Sequence, residues 1–412
     1  MKKILWPVII PALLFAIAIG TTTPVLIIAG LQVGATQPMA AGIVAFMGIT
    51  SLACTIPAGQ FIDRVGDARA MTVASLAAVL VTGVTVLALV IHSLPLYALS
   101  LMLRAPIQDM WNLARQAFVA TVLPRESLGR GMTALGGTMR VGNLLGPLLS
   151  AGLLLFFPVW SVFVLSALCA LLAIGVLRLP AARALDDAVA TPSRTAPASP
   201  EAPAAEPSPS LRELPVRWKA VVLAGLSIVT LGLARSAMPV VVQLWGLSLG
   251  LHNSEISLVI ALGSAVELCL MVPGAYIKDS MGRVTTLTTC LGIFGAGFLL
   301  MVAIPTSPGL WIAMLVMALG NGLGTGINMT IGADLSPAQG RAKFLGVWAL
   351  FNTGGQLGGP SVISALIAAA SLSVGVISCG ALAILGAVWA FAWRGTLQLP
   401  TRVRESVRES RP

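Results

Sequence analysis

Charge is scarce in this chain. Of 412 residues, 10% are Asp, Glu, Lys or Arg against 57% hydrophobic ones, and the mean hydropathy is +0.93. A water-soluble domain of this size with that balance would expose large apolar patches, so lipid must be the solvent for most of the surface. Histidine is nearly absent, with two in all. His92 and His252 fall in predicted loops and supply no nucleophile–base constellation, which removes the usual grounds for an enzyme. The five cysteines, Cys54, Cys169, Cys269, Cys290 and Cys379, stand singly inside apolar runs. That spacing excludes a disulfide framework and a metal cluster, and neither metal nor cofactor is expected.

What the chain does have is long apolar runs. A spanning helix needs about 20 apolar residues to match a hydrocarbon core of roughly 30 Å. Twelve such spans are predicted near 4–30, 37–58, 70–92, 95–120, 131–156, 159–178, 219–246, 254–273, 285–305, 309–332, 343–369 and 373–394. The expected fold is an all-α integral membrane protein of twelve helices in two pseudo-symmetric six-helix bundles. Met1 to Gly20 resembles a signal peptide, but the run continues to about Gly30 with no small-x-small site to end it, so it is read as the first span. With the N-terminus inside, Lys2, Lys3, Arg64, Arg69, Arg125, Arg130, Arg178, Arg217, Lys219, Lys278, Arg283, Arg341, Lys343 and Arg394 all fall in inside segments. The outside loops carry no Lys or Arg, which fixes the orientation with both termini cytoplasmic and accounts for most of the net charge of +10. Basic residues spread over many short loops form no nucleic-acid-binding face.

One stretch breaks the pattern. Pro, Ala and Ser dominate from about Pro180 to Pro215, the composition of a flexible linker. The predicted organisation is a first bundle at 1–179, a linker at 180–217, a second bundle at 218–395 and a basic tail at 396–412, whose Arg402, Arg404, Arg408 and Arg411 would lie near anionic lipid. The halves echo one another. Gly59-Gln-Phe-Ile-Asp63-Arg64-Val-Gly66 ends span two, and Gly274-Ala-Tyr-Ile-Lys-Asp279-Ser-Met-Gly282-Arg283 ends span eight. Gly129-Arg130 leads to Gly146-Pro147, as Gly340-Arg341 leads to Gly359-Pro360. A duplicated helical bundle is the usual build of a secondary transporter, with its site at the midplane.

On those motifs the chain resembles the major facilitator superfamily over all twelve spans. Gly59 to Arg69 is similar to the family's loop-two motif Gly-x-x-x-Asp-Arg-x-Gly-Arg-Arg, with Asp67 where a basic residue is usual. Arg104-Ala-Pro-Ile-Gln108 is similar to the span-four Arg-x-x-Gln-Gly motif, with Asp109 replacing its glycine. Gly142-Asn-Leu-Leu-Gly146-Pro147-Leu-Leu-Ser150-Ala151 looks like the span-five motif of the drug:proton antiporter branch. The resemblance implies a conformational latch at Gly59, Asp63, Arg64, Gly66 and Arg69, echoed by Asp279, Gly282, Arg283, Asp334 and Arg341. It also implies export. An aspartate that completes the latch in many relatives is replaced in the first half by Thr121, while Asp334 holds the corresponding place in the second. Topology and lipid contact are the plainer reading of the loop.

Each Arg or carboxylate near the bilayer centre costs about 2.5 to 3.5 kcal/mol on insertion scales, so the buried charges need a reason. Arg104, Gln108, Trp111 and Arg115 lie within about 60° of one another on a helical wheel, and that stripe is expected to line a cavity, with Arg115 able to snorkel to the mouth. Asp109 points about 140° away from Arg104. Arg140, with Asn143 a turn along, is its expected partner or a substrate contact. Such a pair is worth roughly 4 kcal/mol at about 4 Å and an effective dielectric of about 20, so Asp109 would exchange protons only when it opens. Glu267 has no basic residue one turn away, the setting of a proton-coupling carboxylate; a hydrogen-bonded structural glutamate is the alternative. Arg235, Gln243 and Trp245 are expected on a cavity-facing side of span seven, and Asn321, Asn328, Trp348, Asn352 and Gln356 are further candidates, although buried amides often only join helices. Gly142, Gly146 and Ser150 recur every four residues beside Pro147, a face for close helix packing. The glycine pairs at 320/322, 324/326, 354/355 and 358/359 follow no strand and carry no phosphate-binding Lys, so bending or packing explains them.

Cations outnumber carboxylates among these residues, and tryptophans could stack on an apolar part of a ligand. The expected function is a proton-coupled exporter of a small anionic, zwitterionic or amphipathic organic compound, acting by alternating access. Import of an organic anion by symport or facilitation, and a non-transporting receptor or scaffold, stand as alternatives. The expected partners are substrate, protons and membrane lipids, with no nucleic acid, for a monomer in the bacterial cytoplasmic membrane.

Overall fold

The computed structural model of the chain describes residues 2–122, 125–179, 216–337, 341–397 and 399, without the side chains at 2–8, 68, 120–122, 125–133, 275, 278–279 and 341–343. The expected linker and tail therefore lie almost wholly outside the described residues. Regular structure among the described residues is all helical. In the first half it runs α1 (Lys2–Thr22), a 3-10 turn (Thr23–Val25), α2 (Leu26–Gln32), α3 (Gln37–Val65), α4 (Asp67–Val90), α5 (Leu94–Val122), α6 (Arg125–Leu154) and α7 (Trp160–Leu177). The second half runs α8 (Trp218–Ser248), α9 (Asn253–Met281), α10 (Arg283–Ala303), α11 (Ser307–Leu323), α12 (Ile327–Leu335), α13 (Arg341–Ala369), α14 (Leu372–Ala392) and α15 (Arg394–Leu397).

Nine spans among the described residues are long and apolar enough to cross a membrane by length and composition. The other three expected spans form as helices of 29, 30 and 29 residues, α5, α6 and α13. These are the ones interrupted by Arg104, Asp109 and Arg115, by Arg140 and Asn143, and by Asn352 and Gln356. Large apolar side chains such as Ile56, Leu80, Val272 and Met329 are exposed along the helices, the surface that a lipid solvent requires.

The two halves repeat in backbone detail. Gly34 and Gly250 follow the first span of each half with φ of 93° and 74°, and in each case the next amide closes the helix, Ala35 N to Gly30 O and Leu251 N to Gly246 O, both at 3.0 Å. Gly66 and Gly282 join the second and third spans with φ of 89° and 88°, a region open to glycine for lack of a Cβ. Prolines recur inside matching helices, Pro57 with Pro273 and Pro147 with Pro360. Among the described residues side-chain caps start three helices: Thr36 accepts from Met39 N, Thr306 from Gly309 N and Ser371 from Val374 N, satisfying amides that have no partner within the helix.

Two expected spans are not continuous. The first breaks at Thr23–Val25, where Pro24 has no N–H to give. The tenth breaks at Gly324 to Gly326, with Gly326 left-handed at φ 75°.

The described chain groups into two compact units, Met1–Ala196 with Gly246–Ser264 and Pro197–Trp245 with Ala265–Pro412. In the first, α1 packs on α6 and α7, α5 on α3 and α4, and α4 on α7. Contact between α1 and α6 is backbone to backbone: a Cβ at Gly142 would strike Ala16 and one at Gly146 would strike Gly20 and Thr21. Gly142, Gly146, Pro147 and Ser150 are all buried on this side. In the second unit α10 packs on α11 and α14, and α13 on α14. There the Gly232 and Gly355 backbones of α8 and α13 approach closely in the same way.

Candidate functional site

The charged face of α5 turns into its own bundle. Arg104 is 4% exposed. Its Nη2 donates to Thr22 Oγ1 at 2.5 Å and makes a long 3.5 Å contact to the Ala18 carbonyl, and its guanidinium carbon lies 6.0 Å from the Phe163 ring centroid. Its Nη1 is buried with no hydrogen-bond partner among the described residues. Trp111, 1% exposed, stacks on Phe15 with centroids 4.1 Å apart, donates Nε1–H to Ser75 Oγ at 3.0 Å, and lies 5.2 Å beneath the Arg115 guanidinium. Arg115 is 2% exposed. These three, expected to line a cavity, are buried within the bundle in this structure. The wheel placed them on one face, and that face packs against α1, α4 and α7.

The neighbouring face of α5 stays partly accessible. Gln108 and Asp109 are half-buried, and Asp109 Oδ2 accepts a short hydrogen bond from Ser51 Oγ on α3. Ser51, and not the expected Arg140, is the partner that Asp109 takes. Arg140 on α6 is half-buried and Asn143 exposed. Ser51 carried no sequence signal, because a serine in an apolar span reads as packing until a carboxylate is placed opposite it.

The two loop motifs differ in what they form. In the first half Asp63, Arg64 and Arg69 are exposed and make no ion pair among the described residues, while Gly59 has open space around it. Asp67, between the spans, has its carboxyl pushed above the usual carboxylate range, chiefly by burial and then by the nearby charge of Asp63. In the second half Arg283 Nε meets Asp334 Oδ2 at 3.1 Å. The side chains of Asp279 and Arg341 lie outside the described residues.

In the second unit the polar groups converge on the break in span ten. Arg235 of α8 donates Nε to Asn321 Oδ1 at 2.6 Å and Nη2 to the Gly324 carbonyl at 2.9 Å. Arg235 and Glu267 are both half-buried; the Glu267 backbone lies against Gly322, and the sulfur of the buried Cys290 and Nη2 of Arg235 lie against Gly324. A cation, a carboxylate and a broken helix therefore share one neighbourhood within a single bundle. Sequence separation hid it, since the four residues come from four spans. Gln243 and Trp245 are buried, and Gln243 bonds the Pro239 carbonyl of its own helix. Trp348 is buried too, giving Nε1–H to Asn328 O at 3.0 Å and packing on Phe351. Trp111, Trp245 and Trp348, the expected stacking indoles, are all buried, Trp111 on Phe15 and Trp348 against Phe351. Asn352 is half-buried and Gln356 exposed.

Comparison with known proteins places this geometry. The structure is similar to a POT family transporter in complex with 5-aminolevulinic acid (TM-score 0.76, 12% identity, 96% of each chain). It is also similar to a D-xylose–proton symporter (TM-score 0.68, 14% identity, 97% of this chain and 98% of that one). A third similar structure is the human organic anion transporter TETRAN (TM-score 0.62, 15% identity, 94% and 99%). At these identities the likeness is one of fold. No curated protein matches the chain in sequence. The profile of the Major Facilitator Superfamily matches residues 8–234 and again 223–411, one match for each repeated half. By that match the chain belongs to the Major Facilitator Superfamily, and it is a membrane-spanning transporter, not an enzyme.

Proposed function

We propose that this protein is a proton-coupled secondary transporter exporting a small organic anion, zwitterion or amphipathic acid from the bacterial cytoplasm by alternating access. The observation that carries the reading is the placing of Arg235 and Glu267 at the break of span ten, where Arg235 bonds the Gly324 carbonyl and the Glu267 backbone lies against Gly322. A cation suits a substrate carboxylate or phosphate, and a half-buried carboxylate beside it can exchange that partner for a proton. Proton and substrate then compete for overlapping charges, and each biases the two access states differently, as a coupled cycle requires. Asp109, which accepts from Ser51, is a second place for a proton in the first bundle. Arg140, Asn143, Gln108, Asn352 and Gln356 remain accessible enough to contact a ligand.

The substrate class fits the company the fold keeps, which includes a transporter bound to 5-aminolevulinic acid and an organic anion transporter. Export rests on the span-five Gly142 to Ser150 motif. The orientation, with both termini cytoplasmic, rests on the loop charges, and Lys219 over Trp393 and Arg394 over Phe391 then stand at the cytoplasmic rim, where anionic lipid would meet them. A monomer suffices, because each bundle carries its own polar cluster.

Purified protein in liposomes, screened by thermal shift against organic acids, peptides and antibiotics and then loaded with any hit, tests this directly. A proton gradient directed against substrate efflux should drive it, and Glu267→Gln should remove the gradient dependence. Uptake driven by protons moving with the substrate would make the protein a symporter, and full, pH-insensitive transport by Glu267→Gln would end the coupling assignment.

A further inference from the structure

Cations and aromatic rings collect at one end of the second unit, where α8 begins and α14 and α15 end. Trp389 of α14 donates its Nε1–H to the Leu223 carbonyl of α8 at 3.1 Å, so its indole is pinned across the seam between the two helices while 37% of the residue stays exposed. Trp393, one turn on, lies against it with ring centroids 5.8 Å apart. Lys219 of α8 sets its Nζ 5.8 Å from the Trp393 centroid, and Arg394 sets its guanidinium carbon 4.3 Å from that of Phe391. Both cations are exposed. The amides of Thr396 and Leu397 close α15 onto the Trp393 carbonyl at 2.9 and 3.0 Å, and that turn holds the Arg394 backbone in place.

Positive charge is seated here without a carboxylate of its own. The sequences of α8, α14 and α15 contain no Asp or Glu, and Lys219 and Arg394 make no ion pair among the described residues. Arg217, exposed two residues before Lys219, adds charge of the same sign. A cation resting on a ring has lost part of its freedom before any ligand arrives, so less ordering remains to oppose binding. The fold does not demand these rings, because the matching stretch of the first half, 170–179, has no aromatic residue and carries only the exposed Arg178. A belt of interfacial tryptophans accounts for exposed indoles in general. It does not account for cations laid on rings that are themselves tied across a helix seam.

We propose that this corner of the second bundle is a binding site for one anionic glycerophospholipid, its phosphodiester oxygens taken by Lys219 and Arg394 and its glycerol and first acyl methylenes lying along Trp389 and Phe391. Charge selects the headgroup. The phosphate of any phospholipid would meet both cations, but the ammonium of an ethanolamine or choline headgroup would find no carboxylate on these helices, whereas a glycerol headgroup adds hydroxyls and no positive charge. This deepens the rim contact given under the proposed function. It rests on the orientation stated there only for the leaflet involved, the cytoplasmic one, and needs neither the substrate, the direction of transport nor the coupling ion.

Native mass spectrometry of the full chain, delipidated in detergent and given an equimolar mixture of phosphatidylglycerol, phosphatidylethanolamine and phosphatidylcholine, tests the site. The parent protein should retain phosphatidylglycerol about tenfold over either zwitterionic lipid, and the Lys219→Gln/Arg394→Gln double variant should lose that preference. Trp393→Leu should weaken retention by about threefold, since Lys219 loses its seat. Arg178→Gln, which removes an exposed cation from the corresponding end of the first half, should leave the preference intact. An equal loss in Arg178→Gln would mean diffuse attraction to the whole surface and would overturn the proposal, as would a parent protein without preference or a double variant that keeps it. Inorganic phosphate and glycerol 3-phosphate, each in excess, should not displace the lipid; displacement by either would make this a site for a soluble anion and end the lipid assignment. A failed transport assay leaves these masses unchanged, so the two readings fall separately.

Discussion

Arg283 and Asp334 join the first turn of α10 to the last turn of α12, Nε to Oδ2 at 3.1 Å, with side chains 9% and 22% exposed. The first half lacks the arrangement at both ends. Gly66 and Gly282 share a backbone conformation, yet the residue that follows is Asp67 in one half and Arg283 in the other. Thr121 stands where Asp334 would be expected. The repeat has kept its joint and changed the charges on it.

Neutralising one partner should therefore be costly in the second half. Asp334→Asn removes the charge from the 3.1 Å contact to Arg283, a loss of roughly 1.5 to 3 kcal/mol for a hydrogen bond to a charged group. A lowered melting temperature in detergent is expected for Asp334→Asn and for Arg283→Gln. The double variant should lose less than the sum of the two, since the interaction can be lost only once. Additive losses would mean that the pair contributes nothing.

Asp67 should make stability depend on pH in the unusual direction. Its folded-state carboxyl takes up a proton more readily than the unfolded one, whose value is 3.8, because burial and then Asp63 disfavour its charge. In the window from about that value up to the raised one the folded state binds more protons, so stability contributed at this site falls as pH rises through it. Asp67→Asn should match the parent protein near pH 3 and melt at a higher temperature at pH 7. A gap that instead widens toward acid would contradict the assignment.

How much of this could be read beforehand divides along one physical line. Spans, loops, the doubled motifs and the glycine joints are written in local composition and period, and Gly66 and Gly282 were legible because their motifs repeat. Azimuth was not. A helical wheel places Arg104, Trp111 and Arg115 together but cannot say whether that side meets water or Phe15, Ser75 and Phe163. Partners across helices were equally hidden, since nothing near Asp109 in sequence points to Ser51, and nothing near Arg235 points to Gly324. The breaks at Thr23–Val25 and Gly324–Gly326 lay between the two cases: Pro24 and the glycines were visible, but apolar flanks on either side made each run read as one span.

Glycine substitutions in α6 should separate packing from propensity. A Cβ at Gly146 meets the backbone of Gly20 and Thr21, which cannot swing aside, whereas Gly136 in the same helix has nothing within 4 Å. Gly146→Ala should destabilise by roughly 1 to 3 kcal/mol through overpacking. Gly136→Ala should be neutral or stabilising by up to about 1 kcal/mol, from helix propensity. Thermal melts of both variants check the contrast, and equal behaviour would mean that α1 and α6 do not meet as described.

Arg104 and Arg235 should diverge when each is changed to Gln, although both are arginines inside spans. Arg104 gives its Nη2 to the break in span one and sits in a packed interior. Its loss should appear as a lower melting temperature, with the KM of any identified substrate within about twofold of the parent value. Arg235 is half-buried beside Glu267's neighbourhood, and its loss should raise KM by tenfold or more, the ordinary consequence of removing one charged contact worth about 1.4 kcal/mol or more. The informative comparison is the ratio of the two effects in the same membrane preparation. If Arg104→Gln weakened substrate binding while leaving the melt untouched, the inward-turned face of α5 would have to open to the transport path during the cycle, and its burial here would describe only one stage of it.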